Sequence, residues 1–439
     1  MRQSTRWATA VVVLAALHTP VAGQTVATGT RPLGGMFSRT SRGGADTTPS
    51  LRVVVDLGGG YDETVEPTGT SVPILVFSPQ QGGRVANATG SLVYHQGSAT
   101  RFVEASGSTY VSAASSGAGR IAGGGASATA ATPLGRRNGL TASGSVSYDP
   151  TYLFNAFGSI APDVEGGVVP GTRPTRGITE QRWLNTQGGM GLSRNWTARQ
   201  NSNFLLNSQR REPVSGPGFD SWAHMATLRH VWNARERASL ASTFGYTENV
   251  QRDEQSVQRT ITSQTAELSA TVSKPWSPRQ RLQLTVSGGI NQARSSTAGQ
   301  GVSFTTPTMA GLARVDFSQT WSLALDARRD VTVLNGVTPE PFRSTAVSLR
   351  TVGAWGQRLQ LSASASFSTG AAAVSSTGGF ENVVGTAQVQ FATTSWCAFF
   401  ANYSYYNHRF RSVAVQPGVP TRYELNSVRA GVLLGFPLF

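Results

Sequence analysis

Cysteine is almost missing from this chain: Cys397 is the single thiol among 439 residues. A lone thiol closes no loop within the chain, so a disulfide framework is excluded and stability must come from strand pairing. Cys397 falls in an apolar strand face, which suits an inert thiol rather than a reactive one. Charge is also sparse, at 14% of residues, and lysine is reduced to Lys274, so a net charge of +14 rests on arginine. The arginines are scattered rather than blocked, and no nucleic-acid-binding module carries them, so nucleic acid is not an expected partner. After the first few turns of chain the histidines are His95, His224, His230 and His408. Their spacing with acids and with Cys397 fits no metal site, so neither a metal nor another cofactor is expected, and no catalytic set stands out. Long hydrophobic runs are lacking too. No segment approaches ~18 consecutive apolar residues, which excludes a transmembrane helix.

What the chain does have is alternation. In 281–290, Leu282, Leu284, Val286 and Ile290 share one face, while Arg281, Gln283, Thr285 and Ser287 share the other. The stretch 358–367 sets Leu359, Leu361 and Phe367 against Arg358, Gln360 and Ser362. Leu240, Phe244 and Tyr246 take one face of 237–246, and the same period recurs at 266–273 and 383–391. Side chains alternate across a strand, so these are two-faced strands. Their length, roughly 9–14 residues, exceeds the ~5–6 of ordinary strands and suits a tilted bilayer crossing.

Six tryptophans, Trp196, Trp232, Trp276, Trp321, Trp355 and Trp396, sit where one such segment stops and the next starts. An amphipathic ring at every second junction predicts a membrane-interface girdle. Connections beside the tryptophans are tight, whereas those near 209–220, 248–258, 292–307, 329–342, 369–381 and 408–421 read as long. Short turns on one side and long loops on the other is the asymmetry of a transmembrane barrel. The first half alternates more weakly, near 51–61, 85–95, 100–113, 119–131 and 138–148, and is rich in small residues. Gly58-Gly59-Gly60 and Gly123-Gly124-Gly125 precede no helical pattern, so they read as strand glycines rather than phosphate cradles. The sum is an all-β fold, an antiparallel up-and-down transmembrane barrel of about 18 strands, within 16 to 20.

Ahead of it, Arg2 and Arg6, the apolar stretch Ala8 to Leu17 and the small residues Val21-Ala22-Gly23 predict a cleaved signal peptide over 1–23. Residues 24–50 read as a flexible periplasmic lead-in, 51–439 as the barrel, and the proline-bearing 149–181 as an extracellular loop.

The chain closes on Val432-Leu433-Leu434-Gly435-Phe436-Pro437-Leu438-Phe439. An alternating final strand ending in Phe resembles the bacterial outer-membrane β-barrel proteins. The resemblance implies a Gram-negative outer-membrane location, lipid and the barrel-assembly machinery as partners, and Phe436 or Phe439 as the aromatic of the assembly signal. Pro437 departs from the pattern, because it cannot donate a ladder hydrogen bond. Porin-like barrels and barrels associated with exopolysaccharide export are equally compatible with these features.

If the apolar faces meet lipid, Arg281, Arg314, Asp316, Asp326, Arg328, Arg350 and Arg358 line the lumen. Inward charges of both signs orient water and select polar solutes, and an arginine majority favours anions. The leading expectation is therefore a porin-like channel for passive passage of small polar or anionic solutes, not an enzyme, with homo-oligomerisation left open. The alternatives are a structural or secretion-partner barrel in surface polysaccharide export, an outer-membrane hydrolase, and a soluble secreted β-protein.

Overall fold

A computed structural model describes residues 49–63, 83–98, 100–114, 120–149, 182–215, 220–252, 257–277, 280–297, 300–318, 320–333, 341–356, 358–374, 378–411 and 422–438. The expected signal peptide, the lead-in up to residue 48, the stretch 150–181 and Phe439 lie outside them.

The described residues form strands β1 (Ser50–Glu63), β2 (Gly83–Gly97), β3 (Phe102–Ala114), β4 (Arg120–Leu134), β5 (Asn138–Asp149), β6 (Arg182–Thr197), β7 (Gln200–Ser215), β8 (Asp220–Arg235), β9 (Ala238–Arg252), β10 (Gln258–Ser277), β11 (Gln280–Thr297), β12 (Gln300–Asp316), β13 (Trp321–Val333), β14 (Pro341–Trp355), β15 (Leu359–Ala372), β16 (Gly379–Ala392), β17 (Cys397–Arg411) and β18 (Arg422–Pro437). Each pairs antiparallel with its neighbours in sequence, and β1 also pairs with β18, from Arg52↔Pro437 to Glu63↔Asn426. The sheet of 18 strands is thereby closed, and closure leaves no strand edge at the seam.

Register sorts the side chains. Buried polar groups such as Asp56, Asp62, Asn249, Gln251, Asn291, Asn402 and Arg429 all fall on one parity of the paired strands. The exposed large hydrophobics, Phe204, Leu228, Phe244, Leu268, Val286, Ile290, Leu349 and Phe399 among them, fall on the other. Met225 and Val302 depart from this, being exposed on the inner parity. On β11 the outward apolar stretch runs from Leu282 to Ile290, roughly 27 Å along the strand. At the usual tilt of about 40° it spans roughly 20 Å of height, close to the ~25 Å belt of an outer-membrane barrel.

All six expected girdle tryptophans stand at one end of the barrel, beside the tight turns and on the side where β1 begins and β18 ends. Five are among the most exposed large side chains, and Trp321 instead lies flat over Gly353, where an added Cβ would come within 2.2 Å of the ring. Trp196 Nε1 donates to Ser202 Oγ at 2.8 Å, and Arg194 stacks 4.0 Å from its ring centre.

Several connections read from sequence as long loops are strand instead. β7 runs to Ser215 and β8 starts at Asp220, while β11 and β12 are paired out to Thr297↔Gln300. Their upper ends carry only scattered apolar side chains, such as Val214, Trp222 and Val302, so the alternation fades there while antiparallel pairing continues.

The inner wall also carries apolar side chains beside the charged ones expected there. Ala392, Ala398, Phe400 and Leu433 pack together with Val54 near the tight-turn end. A second apolar group, Ile261, Ala293, Phe304, Phe342 and Phe380, is buried at the other end. Glycines make room for these rings. A Cβ on Gly431 would meet Phe400 at 2.6 Å and the Leu57 carbonyl at 2.3 Å, and one on Gly370 would meet Phe380 at 2.3 Å. Laid across Gly370, Phe380 reaches Phe342 edge-on at 5.0 Å between ring centres.

Candidate channel lining

Arg281, Arg314, Asp316, Asp326, Arg328 and Arg350 all lie on the inner parity, and the fold gathers them on the adjacent strands β11 to β14. Direct pairing sets Arg281 opposite Asp316 and Gln283 opposite Arg314. Arg314 Nε lies 3.0 Å from Asp316 Oδ1 along the same strand face. Arg281 donates through Nε to the neutral Ser273 Oγ at 2.6 Å. Arg358 is different: it stands exposed at the tight turn one residue ahead of β15, its carbonyl accepting from Ala392 N–H at 2.7 Å, so it sits at the rim of the wall and not within the lining. Its alternation with Gln360 continues past the point where the strand ends, which is why the pattern alone placed it on the lining.

Sequence reasoning missed a parting in this wall. β12 pairs with β13 only from Met309↔Arg329 down to Asp316↔Ser322, although β12 itself begins at Gln300. Above Met309, β13 continues with β14 alone, out to Val333↔Pro341. Pro307 sits two residues above the last pair and carries no N–H, so it is tolerated where no strand claims one. That proline was the available sequence signal.

The freed top of the β13–β14 hairpin reaches back across the lumen side of its neighbours. Asn291 Nδ2 on β11 donates to Asp330 Oδ1 on β13 at 3.4 Å, spanning β12. The Arg343 guanidinium of β14 lies 5.7 Å from the Phe304 ring centre of β12. Asn291 is itself fixed, donating to Thr265 Oγ1 at 3.0 Å and accepting from Ser263 Oγ at 3.0 Å. Thr306, Phe342 and Ala293 are buried beneath this contact. The hairpin top thus leans over the inner face of β12, and it carries Asp330 with it.

Across the barrel, the β1–β18 seam holds a second charged set. Arg429 Nη2 lies 3.4 Å from Asp62 Oδ1, Ser427 Oγ donates to that oxygen at 2.6 Å, and Arg429 Nε donates to Ser427 Oγ at 3.1 Å. Both charged residues are about 3% exposed or less, so the pair is a desolvated one.

Among the described residues, no group of three or more His, Cys, Asp or Glu could hold a metal ion, and no helix is long and apolar enough to cross a membrane. His224 and His230 share the outward face of β8, and His230 Nδ1 lies 2.9 Å from Ser202 Oγ, within the Trp196 network. Phe436 points outward and stacks on Trp396 with ring centres 6.3 Å apart, joining the last strand to the row of tryptophans.

No protein-family model matches the chain, and no curated protein sequence matches it either. Solved structures do. Pseudomonas aeruginosa OpdQ is 8% identical, with 89% of this chain and 98% of that one covered, at a TM-score of 0.46. Acinetobacter baumannii OccAB3 is 10% identical over 89% and 99% of the two chains, at 0.45. Pseudomonas aeruginosa OccK2, solved in complex with glucuronate, is 11% identical over 89% and 98%, at 0.47.

Proposed function

We propose that this chain is an outer-membrane channel that passes small polar solutes passively, with a preference for anions. One observation carries the reading: a closed wall of 18 strands turns its exposed apolar side chains outward and its buried polar ones inward. Such a wall is stable where hydrocarbon lies outside and water inside, because every backbone group is paired along the ring. A barrel of this strand number is wide enough to hold water unless something fills it.

The anion preference rests on the count of inward charges. Arg281, Arg314, Arg328 and Arg350 face inward on β11 to β14 against Asp316, Asp326 and Asp330, and this arginine majority supports the anion preference. Phe436 on the last strand is the aromatic we assign to the assembly signal. The test is reversal potential in planar bilayers under a KCl gradient. The wild-type chain should conduct and favour chloride, and Arg281→Gln combined with Arg328→Gln and Arg350→Gln should move the potential toward potassium by several millivolts or more. Unchanged selectivity in the triple variant would remove the lumen-charge account. Repeated reconstitutions that never conduct would favour the rival role of a closed partner barrel in polysaccharide export.

A further inference from the structure

The outward wall carries a groove that the channel reading does not use. It spans β7 to β11, holds about 460 Å³ and lies on the face assigned to lipid. Its origin is legible in the pairing. Phe204, Leu228, Phe244, Ala266 and Ile290 stand opposite one another in one cross-strand row. The next row toward the long-loop end reads Leu206, Ala226, Tyr246, Gln264 and Gln292. Ala226 and Ala266 are the low points between Phe204, Leu228, Phe244 and Ile290, so the groove floor is two methyl groups.

The upper row changes character along its length. It is apolar as far as Ala226, then presents a phenol and two carboxamides directly abreast. Carboxamides exposed at the edge of a hydrocarbon belt are costly unless they meet hydrogen-bonding groups. This edge is the one away from the tryptophan turns, so it faces the outer leaflet. An acyl chain fits the methyl-floored trough, and a head rich in carbonyl and hydroxyl groups fits Tyr246, Gln264 and Gln292. Arg294, two residues beyond Gln292 on the same face, supplies a cation for a phosphate further out.

We propose that this groove seats one acyl chain of an outer-leaflet saccharolipid, with the sugar-amide head held by Tyr246, Gln264 and Gln292. The inference rests on the membrane-embedded reading above. It requires no open lumen.

The full chain, delipidated in detergent, would be reconstituted with equal amounts of a hexa-acylated diglucosamine phosphate lipid and phosphatidylglycerol. It would then be washed and weighed by native mass spectrometry. The wild type should retain close to one saccharolipid per barrel. Ala226→Trp with Ala266→Trp, which fills the trough, should retain at least tenfold less. Gln264→Ala with Gln292→Ala should keep lipid but lose the preference for the saccharolipid. Equal retention by the wild type and the filled variant, or preferential retention of phosphatidylglycerol by the wild type, would overturn the proposal. Heat-modifiable migration of each variant shows that the barrel has folded, and conductance is scored separately. A non-conducting barrel that still holds the lipid would count against the channel and not against this site.

Discussion

Arg429 and Asp62 show what single residues do in this wall. Their ion pair is desolvated and sits on the two strands that close the ring. Removing one partner leaves a buried charge unanswered, at a cost of about 3–5 kcal/mol, while removing both together costs far less. Arg429→Met should therefore lower the midpoint of urea unfolding in lipid vesicles, and Arg429→Met with Asp62→Asn should recover much of the loss; two additive losses would show that the pair is uncoupled. The glycines give a second expectation. Gly370→Leu must displace the Phe380 ring, and overpacking of that kind costs about 1–3 kcal/mol. A variant with wild-type thermal stability would mean that the ring swings away freely. The inward placement of Arg281, Arg314, Asp326 and Arg350 was readable from alternation because period two survives within any one strand. Arg358 stands at the rim, and alternation alone does not tell a turn from a position within the wall.

At the scale of elements, the belt-crossing parts of the strands were legible and their upper ends were not. Sustained apolar alternation marks a strand only where one face meets hydrocarbon, so the mostly polar extensions of β7, β8, β11 and β12 read as loops. The parted β12–β13 pair was hidden for a related reason: nothing in the inward pattern of β13 distinguishes a strand in the wall from one leaning off it. Asn291 holds that leaning hairpin through Asp330. Asn291→Ala should release it and raise single-channel conductance, and an unchanged conductance would place the narrowest zone elsewhere. Pro307→Val restores an N–H above the last β12–β13 pair. Amide exchange should slow in 308–311 and 329–331 if the proline is what stops the pairing; unaltered exchange would make the hairpin contacts the cause.

For the molecule as a whole, a closed ring predicts resistance to SDS until it is boiled, with the unheated band migrating faster on a gel. A single band at all temperatures would contradict closure. Strand number and the two-faced wall were available in the sequence, because each is fixed by repetition. The inner apolar patch of β16, β17, β18 and β1 was not, since it forms by cross-strand register, Ala392 opposite Ala398 and Ala398 opposite Leu433, which no single segment records.

The seam between β1 and β18 has one more consequence. The first strand made waits for the last, some 370 residues later by the Asp62–Arg429 contact, before its free side is covered. Until then two raw sheet margins are available to any passing strand. A product truncated before Arg422 can never complete the hoop, however well its remaining hairpins form. It should be cleared by proteases or clump, and no fraction of normal permeability would survive in proportion to its length.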